Sequence, residues 1–384
     1  MRVCVVGSGS HFLSGISYYT HRLTRELSTA HDVSAILMRR LLPARLYPGR
    51  DRVGSALVRF DYGDGVRVLD GVDWWWFPSI LRALWFLRRE RPEVLLLQWW
   101  TGTVLHTYLA LAIAARLMGC RVVIEFHEVL DTGELGVPLA DAYVRAVSPG
   151  LMRLVGGVVV HNEHDRRELA RRYDVERHPV AVIPHGPYDQ YAGVPAAVEA
   201  RSDGPFRVLF FGVIRPFKGL EDLIAAVDAM SPEEAAGFHL TVVGETWEGW
   251  NTPAEMIQVS RHRDCIEFVN RYVTDAEAAG HFARAECVAL PYHRSSSSGP
   301  AHLTMSQGLP LIITSVGGLT EAVSGYEGAI QVPPRRPDAI RAALQKARAL
   351  RGRRFEDPHS WERSVHAYSE LFAGLAGEAP TRRS

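Results

Sequence analysis

Residues 210–224 read FFGVIRPFKGLEDLI. The apolar run from Phe206 to Phe211 stops at Gly212, a short loop carries Arg215 and Lys218, and Leu220, Leu223, Ile224 and Val227 then recur at helical spacing. Strand, glycine loop and helix in that order make one βα unit. The chain opens with the same grammar: Arg2 to Val6 is an apolar run, GSGSHFLSG follows, and Ile16, Tyr19, Leu23 and Leu27 form a helical stripe. Two such starts about 200 residues apart predict an α/β protein of two doubly wound domains. Between them, Val33 to Met38, Val94 to Gln98, Val122 to Phe126, Val158 to His161 and Val180 to Ile183 read as strands, with helices at Val104 to Met118 and Asp165 to Arg172. In the second half His239 to Val243, Cys287 to Pro291, Leu311 to Thr314 and Ile330 to Val332 read as strands, with helices near Ala276 to Ala285 and Asp338 to Leu350. The stretch Tyr188 to Pro205 is rich in Pro, Gly and Ala and lacks apolar periodicity, so the domain boundary is placed there. The expected division is 1–187, 205–355 and a last amphipathic helix over 356–376 marked by Trp361, Val365, Tyr368 and Leu371, with a frayed TRRS tail.

Composition narrows the class. The chain has 384 residues, 43 Lys+Arg against 43 Asp+Glu, and 47% hydrophobic residues. Zero formal charge argues against bulk capture of nucleic acid, and the apolar content excludes disorder. The four cysteines, Cys4, Cys120, Cys265 and Cys287, form no CxxC pair and suit a reducing cytoplasm. MRVCVVGSGS has no basic leader ahead of a long apolar core, so no signal peptide is expected, and no apolar run reaches the roughly 20 residues that span a bilayer.

Two loops suit an anion. In the first, Gly212 ends a strand, Gly219 opens a helix, and Arg215 and Lys218 add two positive charges to the amides and dipole of the helix start, which predicts a phosphate site. In the second, LPYHRSSSSGPAHLTMSQGLPLIITSVGGLTEAV, Ser298 and Gly299 end a serine-rich turn before a helix running to Gln307. Small residues there let a phosphate approach the backbone closely.

This order of segments resembles the GT-B glycosyltransferases of the large retaining family 4 (glycosyl transferases group 1). Gly212 and Lys218–Gly219 keep the spacing of that family's "G-x-I-R-P-y-K-G" loop, and Ser296, Ser298 and Gly299 match an "S-x-S-G" form of its second loop. The family's E-x7-E pair is absent: alignment on Gly308-Leu309-Pro310 puts Ser295 and Leu303 at the two glutamate positions. Ser14-Gly15-Ile16 resembles the glycine loop after the first strand, and VVIEFHE places His127 where relatives carry a histidine near the reacting sugar. VVVHNEHDRREL and IPHGPYD resemble two further family segments, with His185 in place of an asparagine. The resemblance implies two Rossmann-like domains facing a cleft and metal-independent, retaining transfer of a sugar from a nucleotide diphosphate sugar, a UDP- or GDP-sugar, with no other cofactor. His127, Arg215 and Lys218 are the implied catalytic residues. The implied donor contacts are Gly15, Gly212, Tyr272, Ser298, Gly299 and Glu321, together with Arg215 and Lys218. The acceptor would be a small molecule, a glycan or a lipid-linked sugar. Two rivals share the pattern: a nucleotide-sugar epimerase of the same architecture, and a catalytically silent sugar-nucleotide-binding protein.

Among the sixteen histidines no HExxH or comparable ligand spacing is found; His161 and His164 lie three apart and His127 adjoins Glu128. No metal site is expected, and Asp61 and Asp64 of DYGDG read as turn formers. One segment stands apart. DWWWFPSILRALWFLRRERP mixes Trp74, Trp75, Trp76, Phe77, Trp85 and Phe86 with Arg82, Arg88, Arg89 and Arg91. That mixture suits either a core helix with solvated arginines or a peripheral contact with the membrane through Trp74–Arg91.

Overall fold

The computed structural model describes residues 1–11, 15–40, 60–129, 138–190, 204–247, 249–295 and 297–377. Ser14, Ser296, most of the 188–205 connection and the TRRS tail lie outside the described residues. Two compact units result, one of Met1–Gly186 with Ser360–Ser384, the other of Pro187–His359.

The first unit is built on a seven-stranded parallel sheet: β1 (Arg2–Ser8), β2 (Asp32–Arg40), β3 (Arg67–Asp73), β4 (Val94–Trp99), β5 (Arg121–Phe126), β6 (Gly157–Val160) and β7 (Val180–Val182). The order in the sheet is β3-β2-β1-β4-β5-β6-β7. Val6 lies opposite Ile36 on one side and Leu97 on the other, and this central region reads as unbroken apolar runs because both faces are covered by helices. Helix α1 (Gly15–Leu27) packs with the last helix, Trp361–Gly377, whereas α2 (Phe77–Glu90) and α3 (Leu105–Leu117) pack on each other. β3 has no counterpart among the expected strands, since RVLDGVD carries charges and a glycine and its burial is poor until Val72. The sixth strand stops one residue short of the expected end, leaving His161 just beyond it.

The second unit holds a six-stranded parallel sheet of β8 (Phe206–Phe211), β9 (Phe238–Val243), β10 (Ile266–Val269), β11 (Cys287–Leu290), β12 (Leu311–Thr314) and β13 (Ala329–Val332). Its order is β10-β9-β8-β11-β12-β13, with Leu209 opposite Thr241 on one side while Val288 pairs with it on the other. In each sheet the direction of winding reverses beside the first strand, between β1 and β4 and between β8 and β11. Ligands of doubly wound sheets collect at the carboxyl ends of the strands near that reversal. Among the described residues no helix is long and apolar enough to cross a membrane.

Candidate functional site

In the second unit every expected donor residue falls at the carboxyl edge of the sheet. β8 leads through Gly212 and an isolated bridge from Ile214 to Thr246 into a 3-10 turn over Pro216–Lys218. Gly219 follows at φ +64°, and a Cβ there would lie 2.0 Å from the carbonyl oxygen of Pro291. Only glycine fits this position. Its absent side chain lets the β8 loop press onto the β11 loop, where the backbone N–H of His293 donates to the Phe217 carbonyl at 2.8 Å.

That contact gathers three cations. Lys218 Nζ stands 3.7 Å from the ring centroid of the buried Tyr292, Arg215 lies 5.0 Å from the Phe217 ring, and Arg294 lies 4.7 Å from the same ring. The aromatic faces hold the three cations in place. Arg294 was not singled out from the sequence, because its neighbour Phe217 belongs to a different loop. The helix dipole contributes less than expected. The first turn of Leu220–Asp228 carries Glu221 and Asp222, and His293 Nε2 bonds Asp222 at 2.7 Å. Burial raises the Glu221 carboxyl above its ordinary value. These acids occupy the positive helix end, so the charge for an anion comes from side chains.

The serine loop is organised around its helix cap. Ser298 is buried, accepts from the Ala301 N–H at 3.3 Å and lies 3.4 Å from the Tyr292 hydroxyl. Pro300 brings no N–H and the amides of Ala301 and His302 return to Ser298, which narrows the amides of this turn to Gly299. Gly318 N–H donates to Ser295 at 3.1 Å, tying this loop to the turn that precedes Glu321. Glu321 and Tyr272 are half-buried, the first after β12 and the second after β10. Leu303, at the second of the family's glutamate positions, is a core residue at 4% exposure.

In the first unit His127 sits just past β5 in a buried polar network. Glu125 is wholly buried and accepts from the Tyr19 hydroxyl at 2.7 Å, the Tyr368 hydroxyl at 2.5 Å and the Gln98 amide at 3.0 Å. His161 donates through Nδ1 to the Ile183 carbonyl at 2.9 Å, which leaves its Nε2 to accept from His127 Nδ1 at 3.2 Å. His127 Nε2 then carries a lone pair, 3.8 Å from Glu125 Oε2. Burial and the adjacent His161 hold the His127 pKa well below its ordinary value, and burial lowers that of His161 against the opposing pull of Glu125. Burial and Glu125 push both tyrosine hydroxyls well up. His127 is therefore a neutral ring whose free Nε2 lone pair can accept a hydrogen bond.

His127, His161 and His185 form a group that the sequence spacing does not announce, with ring nitrogens within 4.8 Å of one another. Such a set could take a metal. Here His161 and His185 stack with centroids 3.8 Å apart and His161 Nε2 is engaged by His127, whereas imidazoles around zinc point radially at about 2.0–2.1 Å. The arrangement is that of packed rings. His164, the sequence neighbour of His161, is on the following helix and is not in the group. Asp61 accepts from the Gly63 N–H at 2.8 Å, as a turn former does. Gly15 opens α1 with empty space where its Cβ would lie.

Comparison with known proteins bears on both units. Residues 14–186 match the glycosyl transferase 4-like domain and residues 205–349 match glycosyl transferases group 1. A D-inositol 3-phosphate glycosyltransferase of Kineococcus radiotolerans is 28% identical over 209 residues, 49% of this chain and 48% of that protein. The chain spans about half the length of the curated relatives it matches. A glycosyltransferase of Rickettsia africae superposes with a TM-score of 0.67 at 13% identity, covering 98% of this chain and 99% of that one. An Anabaena protein crystallised with UDP gives a TM-score of 0.62 at 12% identity, covering 98% and 95%. These solved structures share the GT-B fold.

Proposed function

We propose, from the premise that this chain is built of two glycosyltransferase domains of the GT-B fold, that it transfers a sugar from a nucleotide diphosphate sugar to an acceptor hydroxyl, retaining the anomeric configuration and using no metal. The observation that carries the reading is the cluster of Arg215, Lys218 and Arg294 at the carboxyl edge beside the β8/β11 reversal. The bond from the anomeric carbon to the diphosphate breaks, the acceptor oxygen takes its place, and the acceptor proton leaves with the departing phosphate. Charge builds on the bridging oxygen, and fixed cations stabilise it without reorganising. The Gly299 amide adds a donor, Glu321 and Tyr272 stand on the donor side, and a UDP- or GDP-sugar is the donor. The Anabaena structure solved with UDP supports that class. The first domain binds the acceptor, a small molecule, glycan or lipid-linked sugar, with His127 as a neutral hydrogen-bonding partner.

Binding without turnover is the second reading, favoured by the apolar Leu303 at a position where family relatives carry a glutamate. A thermal-shift panel of UDP, GDP, ADP and dTDP tests the donor site. A nucleotide at 100 times its dissociation constant should stabilise the protein by about 2.7 kcal/mol. One nucleotide should shift the wild type and lose its effect in Lys218→Ala; no shift with any of the four would overturn the assignment.

A further inference from the structure

Helix α2 is apolar on two sides. Ile80, Ala83, Phe86 and Leu87 are buried, as expected of a helix lying on a sheet. The opposite stripe is Phe77, Leu81 and Trp85 at i, i+4, i+8, exposed at 65%, 49% and 63%, and Trp75 and Trp76 extend it ahead of the helix. The neighbouring α3 adds Ile113, Leu117 and Met118, with Leu117 84% exposed. Nearly all the exposed large apolar side chains among the described residues thus fall on these two packed helices. A soluble monomer seldom leaves so large an apolar surface open unless it binds something.

The charge around this surface has one sign. Arg82, Arg88, Arg89 and Arg116 are exposed, α3 has no carboxylate, and the single acid of α2, Glu90, is nearly buried, paired with Arg67 and 3.9 Å from the outward-facing Arg89. At the end of α2, Arg88 and Arg91 join Arg2 and Arg121 around an open cavity whose only carboxylate among the described residues is Glu93, 4.0 Å from Arg2. Two copies of this face would set arginine against arginine, because a twofold interface brings each patch onto itself. Tryptophans able to sit at headgroup depth, flanked by arginines, instead complement an anionic bilayer.

We propose that the α2–α3 face docks this protein on membranes containing anionic lipid, with Trp75, Trp76, Phe77 and Trp85 entering the interface and Arg88 and Arg89 meeting the headgroups. The contact is peripheral and does not depend on the transfer reaction. The aromatic end of the face adjoins the carboxyl edge of the sheet, since His106 of α3 bonds the Trp74 carbonyl that follows β3.

The test is co-sedimentation of the full chain with phosphatidylcholine vesicles containing phosphatidylglycerol, and with phosphatidylcholine alone, at low and high salt. Binding should need the anionic lipid and weaken with salt. Arg88→Ser with Arg89→Ser should lower partitioning about thirtyfold, from the value of a basic residue near a charged surface. Trp76→Ser with Trp85→Ser should abolish it while the thermal midpoint stays unchanged, as the side chains are 49% and 63% exposed. Absence of binding at low salt, or binding untouched by either double variant, would overturn the proposal. So would concentration-dependent dimerisation that the tryptophan variant removes.

Discussion

Replacing Glu125 by glutamine keeps the size of the side chain and removes its charge. The carboxylate receives two tyrosine hydroxyls on one oxygen and the Gln98 amide on the other. Whichever way the new amide is turned, its NH2 faces a donor. Relief requires Gln98 to turn as well, with the Thr20 hydroxyl then donating to the Ile16 carbonyl at 2.8 Å and accepting from the turned amide. The three charge-assisted hydrogen bonds, worth about 1.5–3 kcal/mol each, become neutral ones worth about 0.5–1.5 kcal/mol, a loss of about 1–1.5 kcal/mol each. The expected loss is about 3–5 kcal/mol. For a unit of this size each kcal/mol moves the midpoint by about 2–4 °C, so the thermal midpoint should fall by about 6–20 °C. Urea unfolding at neutral pH, followed by tryptophan fluorescence, measures the free energy directly. Tyr368→Phe removes one of three donors and should cost less than Glu125→Gln. A loss below about 1 kcal/mol for Glu125→Gln would refute the reasoning, because the network would then be a crowd of replaceable contacts.

Three further outcomes follow from the same geometry. His127 and His161 have folded pKa values below the ordinary 6.5, so the unfolded chain binds their protons first and stability falls as pH drops below 6.5, by up to about 1.4 kcal/mol per pH unit for each ring; denaturant midpoints that stay flat between pH 7 and 5 would contradict this. Lys218→Ala and Arg215→Ala should each lower turnover roughly 100-fold or more while leaving the thermal midpoint near wild type, since each removes a charge fixed beside the leaving diphosphate. EDTA should leave the rate unchanged, because Arg215, Lys218 and Arg294 supply the positive charge, and complete loss restored by magnesium or manganese would show that they do not suffice.

The loop from Gly212 to Gly219 was legible in the sequence because its geometry is local: Gly212, Arg215, Lys218 and Gly219 stand within one βα turn, and the glycine geometry at Gly219 is what the spacing implies. Arg294 was not, since its place depends on Phe217 from another loop. Nor was the role of Glu125, although a carboxylate inside the apolar run VVIEF was a signal that something must receive it. Tyr19 and Tyr368 read as ordinary stripe residues of two helices far apart in the chain, and only the fold brings both hydroxyls onto one carboxylate. His161 and His185 were visible as residues but not as neighbours of His127, because each follows a different strand of the same sheet. The strand β3 escaped because an edge strand with one face in solvent need not be apolar.

The most direct measurement of the central claim is product analysis. The protein is incubated with sugar nucleotides of uracil, guanine, adenine and thymine, with and without a cell extract as the source of acceptor, and the products are followed by NMR at the anomeric proton. The account predicts release of nucleoside diphosphate from one donor only when acceptor is present, with a new glycoside in the anomeric configuration of the donor. Conversion of a sugar nucleotide without acceptor, a product of inverted configuration, or no turnover of any donor by protein that binds one, would contradict it.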